Sequence, residues 1–287
     1  MAFSTIVTVD ELRTLQQAGA ALVLLDCSFD LTDPAGGERR YAAGHLPGAF
    51  YLHLDRDLAG PQAPEGPRSP RFTGRHPLPD RAGFAALAGS LGIAPGVQVV
   101  CVDGEGSPFA ARAWWLLRWL GHVEVAVLDG GIAAWRAAGL PLETGSPVAS
   151  PRPPYPVGAP AQPAVAAETL LDPGDPWWVL DARMAERFRG DVEPLDPVGG
   201  HIPGAHNRFF KDNLQSDGRF KPAATLREEF AALGLPQASR VVHQCGSGVT
   251  ACHNLLAMEH AGLTGSALYP GSWSEWCADP ARPVARG

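Results

Sequence analysis

The stretch Val241-Val242-His243-Gln244-Cys245-Gly246-Ser247-Gly248-Val249-Thr250-Ala251 decides the fold class. A short apolar run ends, a glycine-containing loop follows, and a helical pattern over Val249 to His260 begins at once. A strand feeding a helix through a tight loop is the repeating unit of an α/β fold. Two glycines let the loop curl so that successive N–H groups point inward at the cysteine sulfur. The helix adds its positive N-terminal end. Such a cradle favours a thiolate and makes Cys245 a candidate nucleophile. The plain alternative is a small buried residue at a strand end. The order strand, cysteine, Gly-Ser-Gly, helix favours the reactive reading.

Working outward, the same pattern occurs twice. Leu22-Val23-Leu24-Leu25-Asp26 has a counterpart in Trp178-Val179-Leu180-Asp181, each an apolar run ending in an acid. Gly44-His45-Leu46-Pro47-Gly48-Ala49 matches Gly200-His201-Ile202-Pro203-Gly204-Ala205. Val97 to Cys101 matches Arg240 to Gln244, and a late turn with tryptophan follows in both halves, at Leu128 to Trp135 and Leu268 to Trp276. Four matches in the same order indicate a duplicated domain. Short Val- and Leu-rich runs without alternation suit buried parallel strands. Helical patterns at Arg81 to Leu91, Ala110 to Leu120 and Thr225 to Leu233 lie between them. From Pro141 the chain is Pro-rich to Pro163, which reads as a semi-rigid linker. The expected organisation is one domain over 1–140, a linker over 141–164 and a second domain over 165–287.

The length of 287 residues suits two such domains. With 45% hydrophobic and 18% charged residues the composition is globular, and a net charge of -7 argues against nucleic acid or anionic membrane as a partner. No stretch is apolar enough to span a bilayer. The start MAFSTIVTVDELRTL lacks the pattern of a secretory signal. Five cysteines without a CxxC pair argue against a disulfide framework or a zinc ribbon. A reducing, cytoplasmic location is expected.

In the first half the position of Cys245 is taken by Asp103, in Val100-Cys101-Val102-Asp103-Gly104-Glu105-Gly106-Ser107. A carboxylate cannot carry sulfur, so this half is expected to be silent, with Cys101 packing inside a strand. A cysteine phosphatase needs an arginine six positions past its nucleophile; here that position is Ala251. His45 and His201, at matching turns, suit structural hydrogen bonds, and Trp273 and Trp276 suit the core.

These residues resemble the two-domain rhodanese family, in its mercaptopyruvate sulfurtransferase branch. The likeness is carried by the paired Gly-His-Leu/Ile-Pro-Gly-Ala turns, the Cys-Gly-Ser-Gly-Val-Thr-Ala loop and Tyr269-Pro270-Gly271-Ser272-Trp273-Ser274-Glu275-Trp276. It implies two tandem rhodanese-like domains, each a parallel sheet covered by helices on both faces. It implies that Cys245 forms a persulfide, and that Gly246, Ser247, Gly248, Val249 and Thr250 supply its backbone cradle. Ser247, His76 (in Gly74-Arg75-His76-Pro77) and Asp55 match a proton relay across the two domains, and Arg187 matches an arginine that holds the substrate anion. One departure stands out: Asp196 occupies the place of a second substrate arginine, with Arg189 or an arginine from elsewhere as the candidates to compensate, and it leaves the choice between mercaptopyruvate and thiosulfate open at this point.

The implied reaction takes sulfur from 3-mercaptopyruvate onto Cys245, releases pyruvate, and passes the sulfur to a thiol acceptor such as thioredoxin or a small thiol, or to cyanide. No metal or organic cofactor is expected. Thiosulfate as the donor is the nearest alternative, although Gly246 and Ser247 bring no positive charge to the loop. A non-enzymatic sensing module on the same scaffold is the more distant one, and the presence of Cys245 argues against it.

Overall fold

Leu22–Asp26 and Gln98–Val102 lie side by side as parallel strands β2 and β4, in register from Leu22 opposite Gln98 to Asp26 opposite Val102. In the computed structural model, which describes residues 2–104, 106–172, 174 and 177–287, they form the centre of a sheet with β1 (Ile6–Val7), β3 (Ala49–Tyr51) and β5 (Val125–Leu128). The order is β1-β5-β4-β2-β3, all parallel. The second sheet, in the order β7-β6-β8-β9, consists of β6 (Trp178–Asp181), β7 (His206–Asn207), β8 (Val241–Gln244) and β9 (Ala267–Leu268), again all parallel. The duplication extends to the edge: Ala164 bridges Leu268 in parallel, as β1 pairs with β5.

The chain divides into two compact units that do not follow the chain order strictly. Unit 1 consists of Met1–Ala59, Pro79–Ala161 and Leu214–Phe220; unit 2 consists of Gly60–Leu78, Gln162–Asn213 and Lys221–Gly287. The segment carrying His76 thus belongs to the same unit as Cys245.

In unit 1, strand residues of one parity (Leu24, Val100, Val102, Ala126, Leu128) pack against Val9 and Leu12 of α1 (Val9–Gln17) and Trp135 of α6 (Gly131–Ala137). The other parity (Val23, Leu25, Val99, Cys101, Val125, Val127) is buried as well. Side chains alternate across a strand, so burial of both sets means both faces are covered. The remaining helices of this unit are α2 (Gly36–Ala43), α3 (Leu54–Asp57), α4 (Arg81–Ser90) and α5 (Pro108–Leu120). The sequence pattern places the start of α5 at Ala110. The helix begins two residues earlier because Pro108 suits a first turn, where the missing N–H has no intrahelical acceptor to lose.

In unit 2, Val179, Val242, Ala267 and Tyr269 pack with Trp273 and Trp276 of α11 (Ser272–Trp276) and Ala167 of α7 (Ala167–Leu171). The other helices are α8 (Ala185–Arg189), α9 (Ala223–Ala232) and α10 (Ala251–His260). The two Gly-His turns are built alike. His45 and His201 each place Nδ1 2.8 Å from a backbone carbonyl, of Tyr41 and Phe188, and each ring stacks at 3.8 Å on the side chain of that same residue. No helix among the described residues is long and apolar enough to cross a membrane.

Candidate active site

Cys245 follows the last residue of β8, and its side chain is buried. Its N–H donates to Ser272 Oγ at 3.1 Å, while its carbonyl accepts from Trp273 N at 2.9 Å. Ser274 N donates to the carbonyl of Gly246 at 2.9 Å, so the start of α11 fastens the loop from outside. Gly248 adopts φ +75, and a Cβ there would lie 2.3 Å from the carbonyl oxygen of Pro270, which only glycine avoids. The loop therefore curls as its sequence suggests. Among the described residues, the amides of Gly246, Ser247, Val249 and Thr250 donate to no backbone carbonyl, and they precede the N-terminus of α10. Four unspent amides at a helix N-terminus form an anion site.

Ser247 Oγ lies 2.7 Å from His76 Nδ1, and both side chains are buried. A hydroxyl that gives its proton to a substrate can recover one from the imidazole at this distance. Three of the four residues expected to take part in the reaction, Cys245, Ser247 and His76, thus belong to unit 2. Asp55 belongs to unit 1; it is exposed in the first turn of α3, with its N–H donating to His53 Nδ1 at 3.1 Å.

Charged residues surround the loop in a network. Arg187, on α8, is gripped along one edge by Glu193, with Nη2 2.7 Å from Oε1 and Nε 3.2 Å from Oε2. Its Nη2 also lies 3.3 Å from Asp196 Oδ2. The other oxygen of Asp196 accepts from Arg75 Nη1. Burial pushes the Asp196 carboxyl above its ordinary range, and the neighbouring Arg75 pulls against that shift. Arg183 packs over Trp273, makes a bidentate pair with Asp181 at the end of β6, and donates to Gly200 O at 2.7 Å. Arg189 pairs with Asp191 on the surface, away from this network.

The motif reading passes over Arg75 and Arg183. Arg75 directly precedes His76, and Arg183 stands two residues past Asp181; neither position carries a pattern that separates it from a surface arginine. Cys252 donates its thiol to Gly248 O at 3.3 Å and is buried in α10; Cys101 is buried in β4. All five cysteines are buried and none is in a disulfide.

Unit 1 shows what the same loop does without its cysteine. Glu105 lies outside the described residues; Asp103 Oδ2 accepts from the N–H groups of Phe109 and Ala110, at 2.9 and 3.0 Å, in the first turn of α5. The carboxyl thus fills the anion position of its own helix. Burial pushes its pKa up to about 7, against the downward pull of the Ala110 and Phe109 amides. An acid raised in the folded state binds more protons folded than unfolded between its two pKa values, so stability falls as pH rises through that window. Wild type is expected to lose about 2–3 kcal/mol relative to Asp103→Asn between pH 5 and pH 8, at ~1.4 kcal/mol per pKa unit. Parallel denaturant titrations of the two proteins check this; identical pH profiles refute it.

Comparison with known proteins identifies the family and the fold. The family profile described as "Rhodanese-like domain" matches residues 8–138 and again residues 164–279. A Pseudomonas aeruginosa protein named "Probable 3-mercaptopyruvate sulfurtransferase" is 50% identical, over 96% of this chain and 98% of its own. The thiosulfate sulfurtransferase of Bos taurus is 34% identical over 94% of this chain and 91% of its own. Among solved structures, the 3-mercaptopyruvate sulfurtransferase from Leishmania major superimposes with a TM-score of 0.79 at 31% identity, covering 94% of this chain and 74% of its own.

Proposed function

Because the chain belongs to the rhodanese family, we propose that it is a sulfurtransferase that moves sulfur from 3-mercaptopyruvate through a Cys245 persulfide. Unit 2 is read as the catalytic half and unit 1 as a half without a nucleophile. The observation that carries the choice of donor is the 2.7 Å hydrogen bond between Ser247 Oγ and His76 Nδ1.

The chemistry of the two donors separates them at this bond. When the Cys245 thiolate attacks the sulfur of 3-mercaptopyruvate, a new S–S bond forms and the C–S bond breaks. The electron pair leaves on carbon as the enolate of pyruvate, which must be protonated. Ser247 supplies that proton to carbon and takes another from His76, the acid–base logic of a hydroxyl backed by imidazole. Attack on thiosulfate breaks an S–S bond and releases sulfite, which needs no proton. A buried serine–histidine relay beside the nucleophile therefore serves the first reaction and is idle in the second. The persulfide then passes its outer sulfur to a thiol, such as thioredoxin or a small thiol, or to cyanide. Asp55 retains the part that the resemblance gives it, as the acid behind the relay.

Ser247→Ala is expected to lower kcat for mercaptopyruvate about 10²–10⁴-fold, the usual contribution of general acid catalysis, while persulfide loading from thiosulfate falls far less. Stopped-flow release of pyruvate, set beside loading from thiosulfate, measures both. Equal losses with the two donors would remove the relay from the mechanism and favour thiosulfate as the donor.

A further inference from the structure

The site contains a guanidinium that the family pattern does not supply. Arg75 is fixed at its backbone on both sides: its N–H donates to Ser274 Oγ at 3.2 Å, and its carbonyl accepts from Gln62 Nε2 at 2.7 Å. Gly74, at φ +99, lets the chain pass so close to Gly271 that a Cβ would lie 2.7 Å from the Gly271 carbonyl. Arg75 is thereby tied to the start of α11, the same element that fastens the Cys245 loop. Its side chain reaches back over that loop. A Cβ built on Gly246 would lie 2.9 Å from Arg75 Nη2 and 3.5 Å from Arg187 Nη1. Two guanidiniums therefore cover the residue that follows the nucleophile, and the absence of a side chain at Gly246 gives them room.

Asp196 holds this pair together, with one oxygen on Arg75 and the other on Arg187. Glu193 takes the far edge of Arg187. Arg183, paired with Asp181, also lies 3.4 Å from Glu193, so three guanidiniums face three carboxylates and the cluster adds no net positive charge of its own.

We propose that Arg75 is the second anion-holding residue of this site, that Asp196 positions it, and that the pair Arg75–Arg187 receives a single carboxylate over Gly246. The proposal rests on the sulfurtransferase reading of the same site. It assigns the charge-reversed position 196 a function: the carboxylate there aims an arginine brought in from residue 75. A balanced cluster with two donor edges suits a monoanion whose carboxylate can take hydrogen bonds from both, and gives a compact dianion less to gain.

Iodoacetate and iodoacetamide test the carboxylate hold apart from turnover. They alkylate a thiol by the same displacement, and only the former carries a carboxylate. The ratio of their rates at Cys245, read by peptide mass, is expected to fall about tenfold in Arg75→Gln, the scale of one charge-assisted hydrogen bond. The iodoacetamide rate alone should stay within about threefold, and KM for mercaptopyruvate should rise by a similar factor of about ten while kcat changes less. The exchange Arg75→Asp with Asp196→Arg, which keeps the ion pair, should recover most of the ratio. An unchanged ratio in Arg75→Gln overturns the proposal, and so does an equal loss with both reagents, which marks Arg75 as merely structural. A wild type that loads from thiosulfate and not from mercaptopyruvate would instead sink the choice of donor, and the alkylation ratio would still decide the role of Arg75.

Discussion

Cys245→Ser is expected to fold like the wild type and to transfer no sulfur from any donor. The contacts that hold residue 245 are made by its backbone, N–H to Ser272 Oγ and carbonyl to Trp273 N, and serine leaves both in place. What is lost is the nucleophile: a hydroxyl neither attacks divalent sulfur usefully nor stores it as a persulfide. Intact mass after incubation with mercaptopyruvate should show one added sulfur on the wild type and none on the variant, with matching thermal melts. Because Cys27, Cys101, Cys252 and Cys277 are also outside any disulfide, a sulfur retained by the variant would place the carrier elsewhere.

The second large effect concerns stability. Arg183→Met is expected to destabilise unit 2 by about 3–5 kcal/mol, the usual result of removing one partner from a buried ion pair. The side chains of Arg183 and Asp181 are 1% and 0% exposed, and the guanidinium makes three contacts with that carboxylate. Unit 1 shows the arrangement without the arginine. There Asp26 ends the matching strand, Ser28 stands where Arg183 would be, and burial raises the Asp26 carboxyl above its ordinary range against the hydrogen bonds from Ser28. Asp181 should behave like Asp26 once Arg183 is gone. Replacing both partners, Asp181→Asn with Arg183→Met, should restore most of the loss. Denaturant unfolding of the two variants beside the wild type measures this; a single variant within about 1 kcal/mol of wild type would contradict it.

The repeated elements were readable in the chain because each is local. Apolar runs, Gly-Pro turns and a glycine loop after a strand carry their meaning within about ten residues. The strands β7 and β9, of two residues each, are too short to carry a period and emerge only from their pairing with β6 and β8. The site divides in the same way. Cys245, Ser247 and the cradle sit in one contiguous motif, and His76 and Arg187 follow from the resemblance. That His76 packs with the second half, and that Arg75 meets Asp196 121 positions away, depends on the segment Gly60–Leu78 joining unit 2. An ion pair between distant segments leaves no local pattern, so position 196 reads as a loss in the sequence and as half of a pair in the fold.

The burial of Cys245, at 2% exposure, also sets the terms of delivery. On the proposed function, a persulfide places its outer sulfur about 2 Å beyond Sγ, so loading moves the reactive atom away from the cysteine while the cysteine stays where it was. The empty thiol is shielded from bulky oxidants and partners; the loaded one offers only its terminal atom. On that function, an acceptor is therefore small, as cyanide or a small thiol is, or presents its cysteine on a narrow projection that reaches the loop. Discharge is thus limited by the shape of the recipient as well as by its nucleophilicity.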